Sequence, residues 1–357
     1  MHSCCNQHDN SEEKNKTTSE MKENNNLTEE TDNKKETVSG DMPTESNQPE
    51  TLPKKSKIKL LPAVASFFAA AVLIVFTSFN FSINFQLKPY SARLLGLPES
   101  PEARETAKLE KAVLPAEGVV LPVKWGDLGD QMIKAGVIDA DKFESIYKNR
   151  GGLDEESQRL LYETDNGNIK ITKDNAGIVL NLLWALGLGN KNTILEKGPM
   201  SDKKYGGAGG FASTGGWTLA KGNVMNHYSK HEFFSLTPEQ QKLVEETSWN
   251  IYRPCCGNPT YFPDCNHGMA MLGLLELMAS QGASEQEMYQ TALWVNSYWF
   301  PETYINLAKY FESQGTPWKN VNPKEVLGAD YSSASGYRSI LNKIKPIEQQ
   351  GGGGCGV

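Results

Sequence analysis

Between Lys59 and Lys88 the chain runs for 28 residues without a charge, LLPAVASFFAAAVLIVFTSFNFSINFQL. A helix needs about 20 mostly apolar residues to cross the hydrocarbon core of a bilayer. Buried core helices seldom run this far without a polar stripe. The run begins after 59 residues, which sets it apart from a leader removed at the N-terminus. It is therefore expected to be one retained transmembrane helix over 58–87. Lys54, Lys55, Lys57 and Lys59 crowd its N-terminal flank, while Lys88 and Arg93 lie close on the other side. The positive-inside bias then puts residues 1–59 in the cytoplasm. The expected location is the cell membrane, single-pass, with the C-terminal domain extracytoplasmic.

Residues 1–57 have no Phe, Tyr, Trp or Ile, and carry 8 Lys against 12 Asp plus Glu. Such a segment cannot bury enough apolar surface to offset chain entropy, so a disordered cytoplasmic tail is expected. Its Cys4 and Cys5 lie between His2 and His8, a possible metal-binding tip of modest affinity. Residues 88–357 carry 27 Lys plus Arg against 31 Asp plus Glu. Neither region has the basic balance that nucleic-acid binding requires.

Residues 88–118, rich in Pro, Glu and Ala, read as a partly helical stalk or linker. Residues 119–346 are long enough to build one sizeable core. Helix signals dominate there, so the fold class is mainly α, an irregular helical bundle. An apolar segment from Ile178 to Leu188 follows a possible turn at Asn166–Gly167, with Thr172 or Asp174 as cap and Gly187 or Gly189 as stop. Thr237-Pro238-Glu239-Gln240 is a capping box that starts a helix ended by Pro254, and Ser284-Glu285-Gln286-Glu287 opens another. A further helix is expected from Pro301 to about Ser313. Strand evidence is confined to the short alternating run NIKI. The glycines between Gly206 and Trp217 lack the spacing and lysine of a P-loop, so a closely packed or flexible loop is expected.

Downstream of the apolar run there are seven cysteines and histidines, and six fall between residues 227 and 267. They are His227, His231, Cys255, Cys256, Cys265 and His267. Thiolate and imidazole bind soft or borderline metals, and thiols also do redox chemistry. In RPCCGNPTYFPDCNHGMAMLGLLELMASQG, apolar periodicity starts just after His267, which makes Asp264 the expected N-cap. Cys265 and His267 would then sit in the first turn, where the helix dipole favours a thiolate. Gly268 would allow a close approach. His227 and His231 are four apart, one face of a helix if NVMNHYSKHEFF is helical, although that spacing alone is weak.

Three readings of the thiols compete. The first is a metal site of Cys255, Cys256 and Cys265 with His267, completed by His227 or His231. Four ligands suit zinc, and two or three sulfurs suit cuprous copper. Met225, Met269 and Met271 would add to the copper case, though Met at this spacing is more often core. The second is a structural disulfide such as Cys256–Cys265, and the third is redox catalysis by the vicinal pair. The metal reading ranks first, with sequestration or transfer as its purpose. Glu276 lies about three turns from Cys265, too far to act as its base. Trp294, Trp299, Phe300 and Tyr304 read as helix packing. Cys355, in the Gly-rich C-terminal tail 347–357, is a possible mobile thiol. The partners implied are the membrane and a metal- or thiol-exchange protein. No H-E-x-x-H, G-x-S-x-G or C-x-x-C-H motif occurs to support zincin, hydrolase or haem chemistry.

Overall fold

Two helices that are apolar on nearly every face set the centre. They are α5 (Ala176–Gly189) and α9 (Asn266–Ser280), in a computed structural model that describes residues 100–347. A helix without a polar face has to be covered on every side. Accordingly, every residue of α9 from Asn266 to Ala279 is buried, as is nearly all of α5. They cross where each presents a glycine. A Cβ on Gly187 would collide with the Met269 carbonyl, and one on Gly273 would stand 2.5 Å from the Leu183 carbonyl oxygen. The backbones touch there.

Before α5 come α1 (Pro101–Val113), β1 (Val119–Gly126), α2 (Leu128–Ala135), α3 (Ala140–Lys148), α4 (Glu155–Tyr162) and β2 (Asn166–Ile171). After it come α6 (Thr193–Lys197), α7 (Ala212–Gly215) and α8 (Pro238–Ser248). Beyond α9 lie α10 (Glu285–Trp299), α11 (Pro301–Ser313), α12 (Pro323–Val326), α13 (Ala329–Ser332) and α14 (Ala334–Leu341). The described chain is mainly helical, as expected.

The strand pair is the main addition. β1 and β2 run antiparallel from Val119↔Ile171 to Gly126↔Asn166, with an irregularity between Val120 and Lys124. Pro122 sits there, a residue with no N–H for the ladder. Asn168 Nδ2 donates to the Leu121 carbonyl at 2.9 Å and fills the gap. Asn166 and Gly167 are thus the start of a strand, not a turn. Asn166 Nδ2 binds the carbonyls of Gly126, Glu163 and Arg159 at 2.8, 2.9 and 3.1 Å.

Helix starts follow the sequence closely. Both capping boxes form, at Thr237/Gln240 and Ser284/Glu287, and α11 begins at Pro301. Helix ends depart further. α8 stops at Ser248, six residues before Pro254. α5 is preceded by Asn175, whose N–H binds Thr172 Oγ1 at 3.2 Å; it ends at Gly189, one of the two expected stops, while Gly187 lies inside it as a packing residue.

The stretch expected as a stalk contains α1, which buries Leu109 and Val113, followed by buried Leu114. From Pro101 onward this segment is part of the packed body. The Gly-rich stretch is closely packed at its end, where Trp217 is buried against Trp184 and donates to the Val137 carbonyl at 3.0 Å. The tail 1–57, the apolar run 58–87, the first part of the stalk and the end of the chain with Cys355 lie outside the described residues. Among the described residues no helix is long and apolar enough to cross a membrane.

Candidate metal centre

After α8 the chain folds back on itself. The N–H of Thr260 binds the Ile251 carbonyl at 2.8 Å, and that of Tyr261 binds the Ser248 carbonyl at 3.1 Å. This return brings Cys255 and Cys256 onto the start of α9. The sulfurs of Cys255, Cys256 and Cys265 lie within 4.8 Å of one another, close enough to hold one metal ion. Among the described residues they are the only group of three or more Cys, His, Asp or Glu side chains so placed. Tetrahedral coordination at about 2.3 Å would separate sulfurs by about 3.8 Å. Cys255 and Cys265 stand at 3.5 Å, well beyond the ~2.05 Å of a disulfide. All three cysteines are free, so the Cys256–Cys265 disulfide of the second reading is not formed here.

Sequence reasoning missed the residue that organises this cluster. Arg253 is 1% exposed. Its Nε donates to Cys265 Sγ at 3.0 Å, and Nη1 donates to the Asn258 carbonyl at 3.1 Å. Nη2 donates to Asp264 Oδ1 at 2.7 Å and to the Phe262 carbonyl at 3.2 Å. The guanidinium lies flat on Gly268, where a Cβ would collide with it. The close approach expected at Gly268 is therefore made by this chain's own arginine. A cation at a helix N-terminus opposes the dipole, so it needs anions beside it. Asp264 and the cysteine sulfurs supply them.

Asp264 is consequently not the N-cap. Its carboxylate is taken by Arg253 and by Asn258 Nδ2 at 2.8 Å, and Cys265 occupies the cap with extended backbone. Hydrogen bonds from Cys255 and then Cys256, helped by the Arg253 charge and by His267, hold the Cys265 thiol far below its ordinary pKa despite burial. Cys255 is driven strongly upward by its bonds with Cys256 and Cys265 and by burial. For Cys256 the bond with Cys255 acts downward, but Cys265 and burial outweigh it and push the thiol up to about 12. Of the three sulfurs, Cys265, which accepts from Arg253, is the one these contacts dispose most toward the thiolate.

His267 is buried in the first turn of α9, as expected, with its ring 4.4 Å from Phe300 and 5.7 Å from Trp299. Nδ1 is 3.9 Å from Cys255 Sγ, yet His267 stands outside the mutually close set. It supports the sulfurs from the side.

His227 and His231 do not join the sulfurs. They follow a 3₁₀ turn, Val224–Asn226, and stand at the two ends of a loop, not on a helix, with Ser229 between them at φ 52°. His227 Nε2–H donates to the Lys221 carbonyl at 2.9 Å, leaving Nδ1 to meet His231 Nε2 at 3.0 Å. His231 lines a cleft of about 580 Å³ with Lys134, Lys191 and Lys230. Met269 and Met271 are core residues of α9, and Met225 lies beside Gly209. Met packing, not ligation, accounts for all three.

Glu276 lies about three turns beyond Cys265 on α9. It is completely buried, accepts from Asn190 Nδ2 at 2.7 Å, and has no partner for Oε1. Burial raises its pKa far above the carboxylate range, against Asn190 and Asn192. Comparison with protein families, with curated proteins and with solved structures returns no match.

Proposed function

We propose that the protein binds a soft metal ion, copper or zinc, at Cys255, Cys256 and Cys265, for sequestration or transfer. The observation that carries this reading is the convergence of three sulfurs within 4.8 Å beside a fixed cation. Arg253 offsets part of the charge of a thiolate cluster and orients the Cys265 sulfur, as outer-shell donors do at thiolate sites. A sulfur-rich donor set leaves a bound ion little Lewis acidity for activating water, which favours holding or passing the ion over hydrolysis.

The uncharged run Leu60–Leu87 and its lysine flank support a single-pass anchor with this domain on the extracytoplasmic side. There the domain would exchange metal with a partner protein, and its acidity argues against nucleic acid as that partner. Metal analysis of the reduced protein tests the reading. About one equivalent is expected, lost in the Cys256→Ser/Cys265→Ser variant and retained in His227→Ala/His231→Ala. Absence of metal from the reduced wild-type protein would sink it.

A second reading, a membrane-tethered thiol–disulfide oxidoreductase, draws on one observation: Cys265 Sγ, whose pKa is pulled down, faces Cys255 Sγ at 3.5 Å. An oxidised disulfide reagent would take two electrons from this pair and accept its protons. Rapid, reversible formation of a Cys255–Cys265 bond in a metal-free protein would favour that role.

A further inference from the structure

We propose that the cleft beside His231 binds a small phosphate monoester. Lys191, Lys230 and His231 meet its phosphoryl group, and Phe233 and Ala135 take its organic part. The site does not depend on the metal reading. At about 580 Å³, the cleft falls within the roughly 300–1,000 Å³ usual for small-molecule sites. It has room for more than the phosphoryl group.

Both walls stand in place before any ligand arrives. Lys134 and Ala135 come from the last turn of α2, and the Lys221 N–H donates to the Gly136 carbonyl just beyond it at 2.8 Å. The other wall is built on a short parallel bridge between Asn190 and His231. There the Lys191 N–H donates to the His231 carbonyl at 2.8 Å. The N–H groups of His231 and Lys230 donate to the Gly189 carbonyl at 2.9 and 3.2 Å. Little backbone is left to order on binding.

The lining carries three lysines and one glutamate, in a domain that is acidic overall. Lys134 is held by Asp130 at 2.5 Å. Lys191 meets Glu232 at 3.8 Å with both side chains more than half exposed, a weak pairing that a dianion can displace. Lys230 has no ion-pair partner among the described residues. No arginine is in the lining, so the flat fork that matches a carboxylate is missing. Ammonium groups act as point charges, which suits oxygens spread around phosphorus.

The histidine pair completes the site. His227 gives its Nε2–H to the Lys221 carbonyl, so its Nδ1 accepts from His231 Nε2–H. Neutral His231 is thereby left with a bare Nδ1, which has no partner among the described residues. Burial and then His227 hold its pKa down. A bound anion acts the other way, favouring a proton on Nδ1 and accepting from the N–H so formed. Phe233 stacks on the same ring at 5.5 Å, which places an apolar face beside the charge.

The test titrates the full chain with phenyl phosphate, in non-ionic detergent with chelator and reductant. Calorimetry at about pH 7.5, where the ester is mostly dianionic, is paired with NMR titration of the His231 ring. Saturable binding of about one equivalent is expected, with the His231 pKa raised. Lys191→Gln/Lys230→Gln should bind at least about tenfold more weakly; both lysines are exposed, so the fold is kept. Lys203→Gln/Lys204→Gln, which alters lysines outside the lining, should match wild type. Inorganic phosphate, without an organic part, and phenylsulfonate, with one charge, should each bind more weakly. No saturable binding by about 10 mM overturns the proposal. So does a Lys191→Gln/Lys230→Gln protein that binds like wild type, or an unmoved His231 pKa. Phenylsulfonate binding as well as phenyl phosphate overturns the phosphate assignment, and inorganic phosphate binding as well overturns the seat for an organic part.

Discussion

Arg253 and Glu276 are both ionisable, both lie out of reach of water, and both bear on α9, yet the protein treats them in opposite ways. Arg253 keeps its charge because every edge of the guanidinium meets an acceptor, two of them anionic. Glu276 has one hydrogen-bonded amide donor and an oxygen with no partner, and burial pushes its pKa up, toward the neutral form. The difference marks where the fold keeps a buried charge fully paired and where it leaves a buried carboxyl half-satisfied. A buried ion without its counter-ion costs several kcal/mol, so the arginine and the sulfur cluster depend on each other.

Replacing Arg253 should give the largest effect. Arg253→Met strands the Cys265 sulfur and Asp264, and a loss of about 3–5 kcal/mol in denaturant unfolding is expected. Metal affinity should fall by about 10–100-fold. Arg253→Lys keeps the charge without the fork and should fall between. An Arg253→Met protein as stable as wild type would erase the contrast between the two sites.

The crossing that fixes α9 under both residues ranks next. Gly273→Ala has to push apart two backbones in contact, at about 1–3 kcal/mol. Both sites should loosen together, readable as faster amide exchange at each end of the helix.

Glu276→Gln has the smallest effect and a distinct pH signature. Wild type keeps the proton in the folded state, while the unfolded chain loses it above about pH 4.3. The folded state then binds more protons, so stability is highest below that pH. It falls as pH rises toward the raised folded value. The glutamine variant should lack that part of the slope and be the more stable protein at pH 8. An unchanged slope would mean Glu276 is ionised in the fold. Gly268 and Glu276 are eight residues apart on α9, about 12 Å. The Arg253→Met/Glu276→Gln double variant should therefore be additive within about 0.5 kcal/mol.

Local rules were legible in the sequence, and convergent ones were not. Thr237 and Ser284 cap helices through atoms three residues away, so their motifs could be read directly. The two core helices could be read from the apolar segment Ile178–Leu188 and from the apolar periodicity that starts after His267. β1 had a period-two signal in Leu121, Val123 and Trp125, masked by Pro122, whose missing N–H the fold accommodates with an irregular ladder. The grouping of Cys255, Cys256 and Cys265 followed from the Pro-bounded turns. The exclusion of His227 and His231 did not, because their loop is held by the carbonyls of Leu188 and Gly189, about 40 residues earlier in the chain. Arg253 was invisible for the same reason. Nothing periodic links it to Asn258, Phe262, Asp264 and Cys265, which it gathers only once the loop has closed.

The contact between Arg253 and Gly268 turns the site into something that can be searched for as text. Arginine, proline, two cysteines, eight residues, then cysteine, any residue, histidine and glycine spell the whole device in one short string. Its first and last letters are bound to each other. A chain that replaced the glycine would displace the guanidinium, and one that lost the arginine would no longer require a bare backbone there. In relatives that keep the three cysteines, those two positions should be exchanged together or left alone.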